Sequence, residues 1–205
     1  RRIAGPEHPD TLLAERRLAD ALRDTGRLAE SEQLGRRVLA LQRRVQEPAH
    51  PETLGTMNSL VRTLSAEGKF VEAEKLSREA LTLARGSLGP RHHLTLETEE
   101  VLASALVGER RVPEAERLAR ETLETARGAL VPASVQLSRL EYVLARATAR
   151  LGRRDEALSL LRAAVDRGLA PADARGIGSD AQLASLRSDP RFAGLVADAQ
   201  VARAP

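Results

Sequence analysis

Apolar residues in this chain recur at helical spacing in paired segments separated by short breaks. The clearest pair lies in the second quarter of the chain, where apolar side chains over residues 54–66 fall three or four positions apart. That is the period of an amphipathic helix. These apolar residues are Leu54, Met57, Leu60, Val61 and Leu64. The pattern breaks at Gly68 and resumes at Phe70, which predicts two helices joined by a tight turn.

Proline-containing linkers precede four such pairs at a fixed interval. The lead prolines, each 42 residues after the one before, are Pro6, Pro48, Pro90 and Pro132. A histidine follows two residues later in the first three linkers, at His8, His50 and His92, and the fourth linker has lost it. A period of this length indicates stacked supersecondary units. Short β-branched and aromatic strands, which a propeller blade of similar length would need, do not occur in these segments.

The same spacing predicts helix positions and turns in all four pairs. The predicted helices cover about 10–24, 28–46, 54–66, 70–86, 94–108, 112–128, 133–150 and 154–168. Glycine occupies the turn between the two helices at Gly26, Gly68 and Gly152. Arg110 stands at this place in the third pair, so we expect Gly108 to serve as its turn glycine. We also expect Gly86 and Gly128 to provide left-handed caps at the ends of second helices.

The two ends of the chain differ from the repeats. Residues 1–4 match residues 43–46, so we expect them to be the remnant of a preceding repeat in a longer protein. Residues 169–178 predict a loop, followed by a short helix capped at Ser179-Asp180 and another that begins at Asp189-Pro190. The expected boundaries are 1–4 for the remnant, 5–47, 48–88, 89–130 and 131–168 for the four repeats, and 169–205 for the loop and capping helices.

Small residues at fixed places identify a family resemblance. The second helices carry Ser31, Ala73, Ala115 and Ala157 in one position. Twelve residues earlier, each preceded by leucine, are Ala19, Val61, Ala103 and Ala145. This pattern resembles the tetratricopeptide repeat, and the linkers resemble its kinesin-light-chain variety in bacterial signalling proteins. Over about 5–168, the resemblance implies an all-α, right-handed superhelical solenoid of four antiparallel helix pairs, closed by a C-terminal capping helix segment.

In that family, the first helix of each pair lines a concave groove that binds peptides. Carried over position by position, the resemblance implies a groove lined by Arg16, Asp20, Arg23, Asn58, Arg62, Ser65, Glu97, Glu100, Ser104, Arg139, Tyr142 and Arg146. Arginines near both ends predict a ligand with acidic outer parts, since a guanidinium group can bind a carboxylate through two hydrogen bonds. The alternative is that these side chains are ordinary solvated faces.

Composition limits the chemistry. The chain has no cysteine, which excludes disulfides and thiol catalysis, and we expect a cytoplasmic protein. Net charge is only +3, and aromatic residues make up 1%, so nucleic-acid binding by base stacking is not expected. No apolar run approaches the roughly 18 residues of a membrane span. The sequence contains no phosphate-binding loop, and we expect no cofactor. His92, His93 and Glu97 have near-helical metal spacing, but His92 holds the linker position of His8 and His50.

These observations favour a non-catalytic scaffold for protein–protein interaction, as the C-terminal part of a larger bacterial regulatory protein. We expect its partner to be a protein or peptide, for example an acidic one, and expect no cofactor, nucleic acid or membrane. One alternative is an array that regulates an upstream kinase or ATPase domain in its own chain. Another is self-association through the open N-terminal end, where Leu12, Leu18 and Leu22 lie on the first helix.

Overall fold

The computed structural model describes residue 5, residues 7–131 and residues 134–201 of the chain. The remnant assigned to residues 1–4 and the lead prolines Pro6 and Pro132 lie outside the described residues. The described part is helical without strands and divides into two compact units after Gly108. No helix in this part is long and apolar enough to cross a membrane.

The described residues of the first unit form five helices, at the predicted places. They are α1 (Pro9–Asp24), α2 (Leu28–Val45), α3 (Pro51–Ala66), α4 (Phe70–Leu88) and α5 (His93–Gly108). Consecutive helices pack on one another, and the first helices also pack side by side, α1 on α3 and α3 on α5. Small residues at the contacts are fully buried, among them Val61 and Ala73, as close packing of helices requires.

The second unit begins with three long helices and ends in shorter ones. The long helices are α6 (Val112–Ala129), α7 (Val135–Arg150) and α8 (Arg154–Asp166), followed by α9 (Pro171–Gly176), a 3₁₀ helix (Ala181–Leu186) and α10 (Pro190–Val201). The predicted loop at 169–178 is therefore wrong in part, because Pro171 starts the helical turn α9. The terminal segment buries Leu183, Leu186 and Phe192 against the core of this unit, as predicted for a capping segment.

The linker histidines cap the first helices. The Nδ1 atom of His8 accepts a hydrogen bond from the backbone N–H of Asp10 at 3.2 Å, and His50 accepts from Glu52 at the same distance. His92 accepts from the N–H of Leu94 at 3.3 Å. Ser134, at the same position of the fourth linker, caps α7 by accepting from the N–H of Gln136 at 3.2 Å. The eroded fourth linker therefore retains its cap.

The turn between helices requires a left-handed backbone at one place. Gly26, Gly68 and Gly152 have φ angles of 81°, 78° and 77°, which glycine adopts without steric cost. Arg110 takes the same conformation with φ 64°. The prediction that Gly108 serves as the turn glycine of the third pair is therefore wrong. A Cβ atom added at Gly108 would clash with the Phe70 ring, so close packing requires this glycine.

The predicted caps at the ends of second helices are also wrong. Gly86 lies inside α4, which continues to Leu88, and Gly89 ends the helix with φ 82°. Gly128 lies inside α6, which continues to Ala129 and is followed by extended backbone at Leu130. The helices therefore run further than the glycine positions predicted.

Candidate binding face

The first helices of the first unit carry a connected set of charged side chains. Asp20 on α1 accepts a hydrogen bond at 2.5 Å from the Ser59 hydroxyl on α3, and Arg16 on α1 lies 3.7 Å from Glu52 on α3. Arg62 on α3 reaches Glu100 on α5. These contacts join α1, α3 and α5 through the predicted groove positions.

Arg62 lies at the centre of this face. Its two Nη atoms donate to the two carboxylate oxygens of Glu100 at 2.5 and 3.1 Å, and Nη2 also donates to Glu97 at 3.3 Å. The Glu100 side chain is only 3% exposed, whereas that of Glu97 is 29% exposed. Arg62 is therefore held firmly by one buried carboxylate and more loosely by one that faces solvent.

Around Asp20, the predicted residues form a second cluster. The Nη1 atom of Arg23 donates to Asp20 at 2.8 Å, and Arg16 lies 3.7 Å from the same carboxylate. The side chains of Arg16, Asp20 and Arg23 retain 24%, 30% and 15% exposure. Each arginine of this face thus has a carboxylate partner, so a carboxylate of a ligand must replace such a partner in order to bind here.

Asn58 and Ser65 lie deeper than a groove position requires. Asn58 is fully buried, and its Oδ1 atom accepts a hydrogen bond at 3.0 Å from Thr98 on α5. Its Nδ2 atom and the Ser65 hydroxyl oxygen are buried without a hydrogen-bond partner among the described residues. Ser104 on α5 is partly buried. The predicted peptide contacts of Asn58 and Ser65 stay predictions.

In the second unit, the chain's own terminal segment covers the predicted positions. The Tyr142 hydroxyl donates to Asp180 at 2.8 Å, and the Nε atom of Arg146 lies 3.0 Å from the same carboxylate. Arg139 lies 3.9 Å from Asp173 on α9. Burial and the nearby Asp180 charge raise the pKa of Tyr142 well above its usual range. These three residues therefore hold the capping segment in place.

Sequence reasoning missed a periodic network on the second helices. Glu32 on α2 accepts hydrogen bonds from Arg36 and from Lys69 of the next repeat, and Arg36 also donates to Glu72 of that repeat. The distances are 2.7, 2.7 and 2.6 Å respectively. The same contacts recur 84 positions further along the chain, at 2.8, 2.8 and 2.6 Å, among Glu116, Arg120, Arg153 and Glu156. Oppositely charged residues 36 or 37 positions apart in the sequence could have indicated this network.

These networks lower the pKa of the acidic residues at their centres. Hydrogen bonds from Lys69 and then from Arg36 hold the pKa of Glu32 below its usual range. The hydrogen bond from Arg153, and a smaller effect from Arg120, does the same for the pKa of Glu116. Both carboxylates therefore stay charged at neutral pH and link neighbouring repeats.

Two buried glutamates also join neighbouring repeats. Glu99 on α5 is 5% exposed and accepts from Arg85 at the end of α4 at 2.6 Å. Glu141 is fully buried, accepts from Arg167 at 2.9 Å and lies 3.5 Å from Arg127 on α6. Removing one partner of a buried ion pair leaves an uncompensated charge, so these arginines stabilise the repeat contacts.

No group of three or more histidine, aspartate or glutamate side chains in the described ranges is placed to hold a metal ion. The rings of His92 and His93 lie 4.4 Å apart, and His92 serves as a helix cap. The side chains on the face of α1, α3 and α5 interact with one another through hydrogen bonds and ion pairs.

The family model for the tetratricopeptide repeat matches residues 10–85 and 52–128. Together these matches span more than half of the chain, so the protein belongs to the tetratricopeptide repeat family. No match was found among curated proteins.

Among solved structures, the chain is similar to nearly identical TPR-like repeats of a Podosopora anserina protein described as a kinesin light chain. The TM-score is 0.67 at 23% identity, over 95% of each chain, and a substituted form of that protein gives the same values. BtubC (BKLC) from P. vanneervenii matches with a TM-score of 0.64 at 19% identity, over 94% of this chain and 76% of that one. These similarities confirm the all-α fold of stacked helix pairs.

Proposed function

We propose that this protein is a non-catalytic scaffold that binds a segment of a partner protein across α1, α3 and α5. Tetratricopeptide repeats are in general protein-interaction modules, and one observation carries the finer assignment. The predicted groove residues of these three helices form two polar clusters, in which Arg16, Asp20, Arg23 and Arg62 are each between 15% and 30% exposed. Such side chains are ordered by their partners yet remain accessible to a ligand.

Arg62 is the proposed centre of recognition. A peptide carboxylate replaces Glu97, whose single contact at 3.3 Å is the weaker one, while Glu100 keeps its two hydrogen bonds. Asn58 is fully buried between α3 and α5, where Thr98 binds its Oδ1 atom, so it supports this face from beneath and does not contact the peptide in this proposal.

The proposed site excludes the fourth repeat. Tyr142, Arg139 and Arg146 already contact Asp173 or Asp180 of the terminal segment. We therefore place the peptide in the first unit alone and assign these three residues to holding the cap.

A peptide selection tests the proposal. Random peptides displayed on phage are selected against the whole chain, and the dissociation constants of the selected peptides are measured. Arg62→Glu should weaken acidic peptides about 10- to 100-fold, because a hydrogen bond to a charged group contributes about 1.5–3 kcal/mol. Glu97→Gln should strengthen the same peptides, since it removes the carboxylate that competes for Arg62.

Arg117→Glu is the matched control, because Arg117 lies on α6 and its side chain is 69% exposed. It should leave the affinity unchanged, and thermal unfolding checks that each variant folds. Selected peptides that bind wild type, Arg62→Glu and Arg117→Glu equally would place the site elsewhere.

A further inference from the structure

Carboxylates outnumber cations at the centre of the face formed by α1, α3 and α5. Arg62 lies between Glu97 and Glu100, and its guanidinium group contacts both carboxylates. In the described part of the chain, neither glutamate contacts a second cation. Two negative groups therefore share one positive group here before any ligand binds.

The cluster around Asp20 has the same excess of negative charge. Arg16 and Arg23 contact the Asp20 carboxylate at 3.7 and 2.8 Å. Each arginine also contacts a further carboxylate, Arg16 that of Glu52 at 3.7 Å and Arg23 that of Asp24 at 3.0 Å. A ligand that carries only negative charge would add to this excess, and like charges placed together oppose binding.

The exchange of partners at Arg62 makes this requirement specific. In the proposed function, a peptide carboxylate takes the place of Glu97 on Arg62. Glu97 then loses the cation that it contacts in the described structure, while its side chain, 29% exposed, stays beside the peptide. Glu100 remains bound to Arg62, because its side chain is only 3% exposed. Three carboxylates would surround one guanidinium group unless the ligand brings a cation of its own.

We propose that the partner segment carries a basic side chain beside the acidic one, so that binding exchanges one ion pair for two. The acid binds Arg62, and the base binds the Glu97 carboxylate that the acid displaces. In an extended segment, alternate side chains lie on one face, about 7 Å apart. An acid and a base two positions apart therefore reach Arg62 and Glu97 together. This inference rests on the proposed function and specifies the charge pattern of its ligand.

Two libraries of peptides displayed on phage test this pattern. They are random apart from a fixed central Asp-x-Lys in one and Asp-x-Gln in the other, and both are selected against the whole chain. Selected Asp-x-Lys peptides are synthesised with the lysine and with glutamine in its place, and their dissociation constants are measured. The glutamine should weaken binding to wild type about threefold to tenfold, between the contributions of an exposed ion pair and a charged hydrogen bond. It should leave binding to Glu97→Gln unchanged.

Glu121→Gln is the matched control, because Glu121 lies on α6 and contacts Arg117 at 3.3 Å, the distance that separates Glu97 from Arg62. The preference for lysine should persist in this variant. The charge-reversed chain, Glu97→Lys, should instead prefer peptides in which glutamate replaces the lysine. Thermal unfolding checks that each variant folds.

The outcomes separate this inference from the proposed function. A preference for lysine that is equal in wild type and Glu97→Gln, or absent from both, overturns the paired-charge inference. If Arg62→Glu still weakens the same peptides, the proposed site stands without it. Peptides that bind Arg62→Glu as tightly as wild type, or libraries that yield no binder, overturn the proposed function and this inference with it.

Discussion

At the scale of single residues, one position at the start of each first helix explains the linker histidines. His8, His50, His92 and Ser134 each accept a hydrogen bond from the N–H two residues later. An uncharged imidazole can accept at one nitrogen, whereas a protonated ring only donates. The cap therefore depends on the protonation state in three repeats and is independent of it in the fourth.

For His92, the direction in which stability changes with pH follows from its pKa. Burial, and to a smaller extent the neighbouring His93, lower the pKa of His92. The unfolded chain therefore binds more protons, so the stabilisation is present above the unfolded pKa of about 6.5 and is lost as pH falls. We predict that His92→Ser makes the free energy of unfolding less dependent on pH between pH 5 and 7.5. Urea unfolding at both values checks this, and an unchanged difference would contradict it.

Tyr142 is the only tyrosine, and the chain has no tryptophan, so absorbance at 295 nm reports its ionisation alone. Its pKa is raised by burial, by Asp180 and by the hydrogen bond to that residue. Stability is therefore complete below the usual tyrosine pKa of about 10 and declines as pH rises above it. We predict that tyrosinate forms only as the second unit unfolds, as seen by circular dichroism. Ionisation near pH 10 in a folded chain would contradict the burial of this phenol.

At the scale of the helical element, the turn between helices shows where sequence reasoning succeeds and where it stops. Glycine at three of four equivalent positions predicted the turns correctly. The sequence did not show that Arg110 would adopt φ 64° itself, because the turn geometry is imposed by the helices on either side. Gly108 was assigned to the turn from its type alone, whereas its role depends on the distant Phe70.

Two substitutions separate these roles. Arg110→Gly should raise the free energy of unfolding by about 0.5–1 kcal/mol, because a left-handed conformation costs a non-glycine residue about 1–2 kcal/mol and glycine loses part of this gain through backbone entropy. Gly108→Ala should destabilise the protein by about 1–3 kcal/mol through overpacking against Phe70. Denaturant unfolding measures both, and stabilisation by Gly108→Ala would show that this packing is loose.

For the candidate site, the sequence predicted the positions of the side chains but not their partners. The resemblance identified which positions of α1, α3 and α5 share a face, because helix periodicity and repeat phase determine this. It did not identify the partners of the predicted groove residues, which come from elsewhere along the chain: Glu100 of the next repeat for Arg62, and Asp180 of the capping segment for Tyr142. The burial of Asn58 was likewise invisible, since it depends on contacts with α5.

At the scale of the whole molecule, the same ion pairs recur with the repeat. Arg36 with Glu72, Arg120 with Glu156 and Arg162 with Asp198 each span 36 residues and each have a distance of 2.6 Å. The third pair reaches α10, so the capping segment takes part in the same pattern as the repeats.

Equivalent pairs should contribute equally. We predict coupling energies of about 0.2–1 kcal/mol, the range of exposed ion pairs, for both Arg36–Glu72 and Arg120–Glu156 in double-mutant cycles with alanine. Each should decrease in 1 M salt, where charges are screened over about 3 Å. The non-equivalent pair of Arg117 and Glu121, within α6, serves as the reference. A clear coupling energy for one of these two ion pairs and none for the other would contradict the prediction, because equal distances would then not give equal stabilisation.

The 42-residue phase of these charges also bears on how such an array can change its length. Because Glu32 with Arg36, and Glu116 with Arg120, meet equivalent charges of the following repeat, a duplicated or deleted unit of 42 residues ahead of the fourth repeat places matching charges at the new junction. Recombination between repeats would thus alter the number of units while each contact keeps its partners. An insertion whose length is not a multiple of 42 residues would bring unmatched side chains together at the junction.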